Sequence, residues 1–203
     1  DGDNLSVQNL SATNGSVTDN GDGTFTFTPN VNFNGTMDLT FDVSDGTTTT
    51  GATGAITVSP VNDAPDAGRV DLGAIAEDTS VTFTKAQILS NSSDLDGDTL
   101  SVTSLAVDPA AGTVTDNGDG TFTFNPAVNV NVVDVPLTFT VSDGELTDTA
   151  TATLDITAVA DAPTLEVSGA SGDEDSAIEL NIDAALSAPS ESLSIAISGV
   201  PTG

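Results

Sequence analysis

Residues 15–32 read GSVTDNGDGTFTFTPNVN and residues 112–129 read GTVTDNGDGTFTFNPAVN, with fifteen of eighteen positions identical. The separation between Gly15 and Gly112 is the length of one β-sandwich domain, about 100 residues. A chain built in this way has to fold as successive copies of one unit. Its function then lies in the units, in their joints, or in the longer protein they come from.

Period-two alternation runs through both copies: Phe25 and Phe27, Leu39/Phe41/Val43, Ile56 and Val58, and later Val81 and Phe83, Leu100 and Val102, Phe122 and Phe124, Leu137/Phe139/Val141, Leu154 and Ile156. Such alternation is the mark of half-buried strands. Thr fills many outward positions, as its β-propensity favours. Gly, Asn and Asp clusters interrupt the pattern at the roughly 8–12-residue spacing of a sandwich. Thr84 to Ser90 (TKAQILS) alone hints at a helical turn. The expected fold class is all-β: tandem Ig-like β-sandwich domains in an elongated array.

Aligning the copies locates the joints. Asp1-Gly2-Asp3-Asn4-Leu5-Ser6-Val7 matches Asp96-Gly97-Asp98-Thr99-Leu100-Ser101-Val102, Val43-Ser44-Asp45-Gly46 matches Val141-Ser142-Asp143-Gly144, and Val61-Asn62-Asp63-Ala64-Pro65 matches Val159-Ala160-Asp161-Ala162-Pro163. Each Asp-Ala-Pro follows a long strand, and its Pro fixes φ and stops a central strand from continuing. Glu77-Asp78-Thr79-Ser80-Val81 matches Glu174-Asp175-Ser176-Ala177-Ile178. The expected domains are therefore 1–63, a repeat without a counterpart of residues 66 to 95; 64–161, a complete repeat; and 162–203, the opening strands of a third. Opening on Asp1 in mid-repeat, the chain reads as part of something longer. Leu180 and Ile182 in the last segment are expected to lack cover, which invites head-to-tail association between copies by exchange of strands.

Composition removes whole classes of function. Thirty-one acids face two bases, Arg69 and Lys85, for a formal charge of −29. Nucleic-acid binding and electrostatic docking to an anionic membrane both need basic side chains, so both are excluded. Cys and His are absent, which removes thiolate chemistry, ordinary Zn²⁺ ligation, a histidine base and any disulfide staple. No apolar run reaches the roughly 18 residues of a membrane span. Carboxylate pairs can cleave glycosides, but sugar-cleaving sites usually present aromatic platforms and Trp and Tyr number zero. The reading is not an enzyme.

What remains is oxygen-donor chemistry. Asp94-Leu95-Asp96-Gly97-Asp98 places three carboxylates within five residues directly before a strand. They repel one another unless a cation gathers them, and hard oxygens at this density suit Ca²⁺, which takes six to eight. The spacing begins like an EF-hand loop, but no Glu stands at the required later position and no helices flank it. The plain alternative is a polar turn whose acids cap backbone amides. Further donors recur by repeat: Asn62 and Asp63 at one linker, Asp161 at the next, Asp45 and Asp143 in the Val-Ser-Asp-Gly turns, Glu77 ahead of a second strand, and Asp1 and Asp3 as counterparts of Asp96 and Asp98. Asp-Asn-Gly-Asp-Gly at 19–23 and 116–120 is read as hairpin-turn chemistry, because Gly accepts the positive φ such turns need.

Taken in order, Asp63-Ala64-Pro65, Glu77-Asp78-Thr79, Asp94-Leu95-Asp96-Gly97-Asp98-Thr99-Leu100-Ser101-Val102, Asp119-Gly120-Thr121-Phe122 and Phe139-Thr140-Val141-Ser142-Asp143-Gly144 resemble the bacterial cadherin-like tandem repeats of giant repeats-in-toxin (RTX) adhesins. The resemblance implies calcium at the joints. Asn62 and Asp63 would be linker ligands, Asp94 and Asp96 the Asp-x-Asp pair of the following domain, Asp143 a further ligand, and Glu77 an acid facing the far end of the domain, where it would meet Asp161. Ala160 stands where Asn62 stands in the first linker, and Pro189-Ser190-Glu191-Ser192 occupies the place of the Asp-rich loop, so fewer donors are expected at the second joint. The function implied is a secreted, calcium-stiffened extender of a bacterial cell-surface adhesin, serving cell adhesion and biofilm formation. Its partners would be calcium ions and neighbouring repeats of the same chain. The alternatives are a carbohydrate- or protein-binding module and a spacer in a large extracellular enzyme.

Overall fold

The computed structural model describes residues 4–186 and 192–196. The chain divides into two compact units, Asp1–Asn62 and Asp63–Gly203. Both are built from strands, and the expected all-β, Ig-type fold class is what the chain adopts.

The first unit comprises β1 (Ser6–Ala12), β2 (Gly15–Asp19), β3 (Phe25–Pro29), β4 (Gly35–Ser44) and β5 (Thr49–Val58). They form a three-stranded sheet in the order β1-β4-β5 and the hairpin β2-β3. The register of β4 on β5 is unbroken from Gly35 opposite Val58 to Ser44 opposite Thr49. It is closed by a turn in which Asp45 Oδ1 accepts the backbone N–H groups of Thr47 and Thr48. Met37 is buried, and Phe27, Phe33 and Phe41 are half-buried.

The second unit runs β6 (Val70–Ala76), β7 (Val81–Thr84), α1 (Lys85–Ile88), β8 (Ser101–Val107), β9 (Gly112–Asp116), β10 (Thr121–Pro126), β11 (Val132–Ser142) and β12 (Thr147–Thr157), followed by a hairpin of β13 (Thr164–Val167) and β14 (Ile182–Ala185). One sheet has the order β6-β12-β11-β8 and the other β7-β10-β9. The first strand, β6, lies parallel to β12, with Val70 opposite Ala152 and Ala76 opposite Thr157. Alternation buries one face of each sheet: Phe83, Phe122 and Phe124 come from the second sheet and Leu137, Phe139, Val141 and Leu154 from the first, all in one core. Burying each such side chain contributes about 1.5–3 kcal/mol.

The helical turn hinted at by TKAQILS is α1. Thr84 and Gln87 form a capping box: Gln87 N donates to Thr84 Oγ1 at 3.2 Å and Thr84 N donates to Gln87 Oε1 at 2.9 Å. Two orphan donors of a one-turn helix are thereby satisfied, and Ile88 is delivered into the core at 0% exposure.

The two TFTF strands share a sequence but not an environment. In β10, Phe122 and Phe124 are 2% and 0% exposed, whereas Phe25 in β3 is 37% exposed. The cause is the neighbour: β10 lies between β9 and β7, while β3 pairs among the described residues with β2 alone. In the last segment Leu180 is 67% exposed, as expected. Ile182 is half-buried instead, because it pairs with Val167 in the β13–β14 hairpin.

Candidate metal centre

At the upstream end of the second unit the chain enters β6 through Asp66, which bridges Ser93. That bridge brings the start of the unit beside the loop carrying Asp94, Asp96 and Asp98. Gly97 takes φ +83°, a conformation costly for any side chain but absent from glycine's penalties, and it folds the loop back over Asp94. Asp94 Oδ1 accepts the N–H groups of Asp96 and Asp98 at 2.9 and 3.1 Å. Asp96 Oδ2 accepts the N–H of Asp63 at 2.7 Å, tying the start of the unit to the loop. Each of the three acids offers a carboxylate oxygen, all within 4.8 Å of one another, and Asp94 Oδ2 is shielded from solvent with no hydrogen-bond partner. Two charges about 5 Å apart repel by roughly 1 kcal/mol in water and several times that near a protein surface. The donor set is therefore hard, convergent and uncompensated, which fits a divalent ion of the calcium type.

Asp143 lies at this same end. Ser142 stands opposite Ser101, so the turn after β11 sits beside the start of β8, into which the Asp-rich loop leads. Its Oδ1 accepts the N–H groups of Glu145 and Leu146, each at 2.7 Å. Asp45 holds the corresponding turn of the first unit and uses both oxygens there, Oδ2 accepting from Thr48 Oγ1 at 3.0 Å. The amides of Thr48 and Thr47, then the Thr48 hydroxyl, hold the Asp45 carboxyl below its ordinary range. Asn62 is the last residue of the first unit. Asp1 and Asp3 lie outside the described residues, as do Pro189, Ser190 and Glu191.

The downstream end of the second unit carries Glu77. Its N–H donates to Thr157 O at 2.9 Å, continuing the β6–β12 ladder, and its side chain turns inward to 2% exposure. Oε1 accepts the N–H of Val159 at 2.8 Å, while Oε2 is buried without a hydrogen-bond partner. Asp161 follows Val159 by two residues and is half-buried. Asp78, at φ +60°, accepts the N–H of Asn129 through Oδ1 at 3.2 Å. Sequence reasoning missed this clasp. The signal for it was the recurrence of Asn at 32 and 129 within the matched segments.

The Asp-Asn-Gly-Asp-Gly segments are hairpin turns. Gly21 and Gly118 take φ +79° and +76°, and the second Asp of each is occupied locally. Thr24 Oγ1 donates to Asp22 Oδ1, and Thr121 Oγ1 to Asp119 Oδ1, both at 2.6 Å. These hydroxyls hold both carboxyls below their ordinary range.

The family model described as a cadherin-like domain matches this chain over residues 1–59 and 61–157. No curated protein matches it. Among solved structures, this chain is similar to endo-fucoidan hydrolase MfFcnA4 from glycoside hydrolase family 107, at 23% identity over 78% of this chain and 24% of that one, with a TM-score of 0.33. The human desmocollin-1 ectodomain is similar at 11% identity over 83% of this chain and 37% of that one, with a TM-score of 0.43. Domains 4–9 of surface layer protein SbsC are similar at 15% identity over 79% and 25%, with a TM-score of 0.26. The chain thus spans between 24% and 37% of the length of these proteins.

Proposed function

The chain belongs to the cadherin-like domain family, and from that premise we propose that it is a non-catalytic extender segment of a large secreted bacterial surface adhesin, stabilised by calcium at the ends of its sandwiches. Glu77 carries the reading. A carboxylate taken out of water costs several kcal/mol unless it is paired or coordinates a metal, and Glu77 is 2% exposed with one oxygen lacking a hydrogen-bond partner. The chain has only two basic side chains to offer. Lys85 lies over the Phe122 ring at 5.7 Å, and Arg69 lines a surface groove with Asp71, Asn91 and Asp134. A divalent cation would supply the positive charge that this buried carboxylate lacks.

The upstream end would hold its ion through Asp94, Asp96 and Asp98, with Asp63 and Asp143 close by. The downstream end would hold its ion through Glu77 and Asp161. When bound, calcium supplies positive charge that cancels carboxylate repulsion and fixes loop geometry; the protein's part is to converge its oxygens. An ion that binds only the folded unit stabilises it by RT ln(1 + [L]/Kd), about 2.7 kcal/mol at a hundredfold excess over Kd. The many acids repel one another without calcium and are drawn together with it, so folding is favoured where calcium is plentiful, outside the cell.

Thermal melting of the chain in EDTA and in a calcium series up to millimolar tests the reading. The expected result is a melting temperature that rises by several degrees with calcium and falls on chelation. A melt unchanged across the series would return these acids to the role of solvated turn residues.

A further inference from the structure

Four Asn-Gly pairs occur in the chain, at Asn14, Asn20, Asn34 and Asn117, and the fold treats them differently. All four asparagines are exposed. At such a pair the backbone nitrogen of the glycine can attack the asparagine side chain, because glycine brings no side chain to obstruct ring closure. Reaction then depends on whether the two groups concerned, the side-chain amide and the glycine N–H, are free to meet.

In the two hairpin turns both groups are held. Asn117 Nδ2 donates to Thr121 Oγ1 at 2.8 Å and to Thr123 Oγ1 at 3.0 Å, which ties the amide to β10. The Gly118 N–H donates to Asp116 Oδ1 at 2.9 Å. A carboxylate on that proton also opposes its loss, since one negative charge disfavours making another beside it. The first unit repeats the cage: Asn20 Nδ2 donates to Thr24 Oγ1 at 2.9 Å and Thr26 Oγ1 at 3.2 Å, and the Gly21 N–H donates to Asp19 Oδ1 at 2.8 Å. At Asn14 the obstacle is packing. Gly15 is half-buried, and a side chain there would collide with the Phe27 ring and the Thr28 carbonyl, so this glycine is packed in place.

Asn34-Gly35 has neither protection. Among the described residues none hydrogen-bonds to the Asn34 side chain, and the space beside Gly35 is open. Its counterpart in the second unit, Asn131, is followed by Val132, whose β-branched side chain obstructs the same ring closure. We propose that Asn34 is a site of spontaneous deamidation, and that the repeated Thr and Asp side chains protect Asn20 and Asn117 from it. The Gly35 nitrogen gives up its proton and bonds to Asn34 Cγ, the side-chain nitrogen leaves as ammonia, and the succinimide so formed takes up one water. Opening at one carbonyl gives an aspartyl residue and at the other an isoaspartyl residue, and either adds a negative charge. The isoaspartyl form also lengthens the backbone by one atom immediately before β4, where Gly35 stands opposite Val58. One position of the first unit thus changes with time while the hairpin turns of both units are kept intact.

Peptide mapping of the chain after storage at mildly alkaline pH, in calcium buffer and in urea, reads each site separately. In the folded chain, conversion at Asn34 is expected to be at least about tenfold faster than at Asn20 or Asn117, the factor that follows from one charge-assisted hydrogen bond broken on the way to the transition state. In urea the cages are gone and the three rates are expected to converge. Thr123→Val removes one acceptor of the Asn117 amide and keeps a good strand former. It is expected to speed conversion at Asn117 and to leave Asn20, whose own cage is intact, unchanged; Thr26→Val is expected to do the reverse. The proposal is overturned by equal rates at the three sites in the folded chain, by an Asn34 that stays intact while the turns convert, or by cage variants that change neither turn. It is equally overturned by a difference that persists in urea, which would assign the order of rates to sequence alone. These rates are read at sites remote in sequence from Glu77 and Asp94, so they stand or fall independently of any ion there.

Discussion

Glu77 Oε1 accepts the backbone N–H of Val159 at 2.8 Å, so an acid at the end of β6 grips the chain as it leaves β12. The residues are 82 apart in sequence and are neighbours only because the first and last strands of the sandwich run side by side. The other oxygen of the same carboxylate has no hydrogen-bond partner, and that imbalance makes Glu77 the sharpest probe of the cation reading.

Glu77→Gln retains an acceptor for Val159 and removes the charge. In EDTA the variant is expected to melt at or above the temperature of the unsubstituted protein, because an unpaired buried charge has been deleted. In calcium the order reverses, since the unsubstituted protein gains about 2.7 kcal/mol at a hundredfold excess over Kd and the variant gains less. Paired melting curves check this; a variant that loses stability equally in both buffers would make Glu77 a structural acceptor only.

Asp96 and Asp119 separate a candidate ligand from a turn residue. Asp96→Ala removes one of three convergent carboxylates and is expected to weaken calcium binding at least tenfold, about 1.4 kcal/mol. Asp119, whose Oδ1 is held by Thr121, is expected to leave calcium affinity unchanged on substitution by Ala. Calorimetric titration of both variants distinguishes them, and equal losses would turn the hairpin turns into sites.

Acid is expected to destabilise the second unit with a definite sign. The Ala67 N–H, then the Thr149 N–H, hold the Asp148 carboxyl below its ordinary range, and the Thr121 hydroxyl does the same for Asp119. A depressed folded pKa contributes stability that is complete above the unfolded value of about 3.9 and is lost as pH falls through the folded value. Urea unfolding in EDTA should therefore give stability that changes little from pH 7 to 5 and falls below about pH 4, less steeply for Asp148→Asn. Stability that rises on acidification below pH 4 would contradict this, showing that relief of charge repulsion outweighs these hydrogen bonds.

The contrast between the TFTF strands has an energetic counterpart. Phe122→Ala empties a packed site and is expected to cost about 3–5 kcal/mol. Phe25→Ala, at a position 37% exposed, is expected to cost less than half as much in the isolated chain at low concentration. Denaturant midpoints of the two variants give the comparison directly.

Much of this architecture is local information. The alternation of Phe122 and Phe124, the Thr84-x-x-Gln87 cap and the Asn-Gly turns each act over a few residues, and each could be read from the sequence. The Asp-rich loop was readable as a cluster, with acids that cap its amides as the plain alternative, but that Asp94 does both, spending Oδ1 on the loop and leaving Oδ2 without a partner, was not. Contacts set by strand order were hidden: Asp148 Oδ2 reaches the Ala67 N–H across 81 residues, and Asp78 reaches Asn129 across 51. Such pairs depend on which strands become neighbours, and for the second of them the recurrence of Asn at 32 and 129 marks one partner without naming the other. Phe25 and Phe122 make the same point, since identical flanking residues gave opposite burial once the neighbouring strand differed.

The parallel pairing of β6 with β12 also decides how the second unit responds to tension. The chain enters at the Val70 end of β6 and leaves at the Thr157 end of β12, at opposite ends of one ladder running from Val70–Ala152 to Ala76–Thr157. A pull on the two ends slides these strands past each other along their length. The hydrogen bonds between them are then loaded together in shear instead of being peeled apart one at a time. Bonds loaded in this way resist a pull better than bonds opened singly, although the shift in register between Thr153 and Asp155 divides the ladder into two sets.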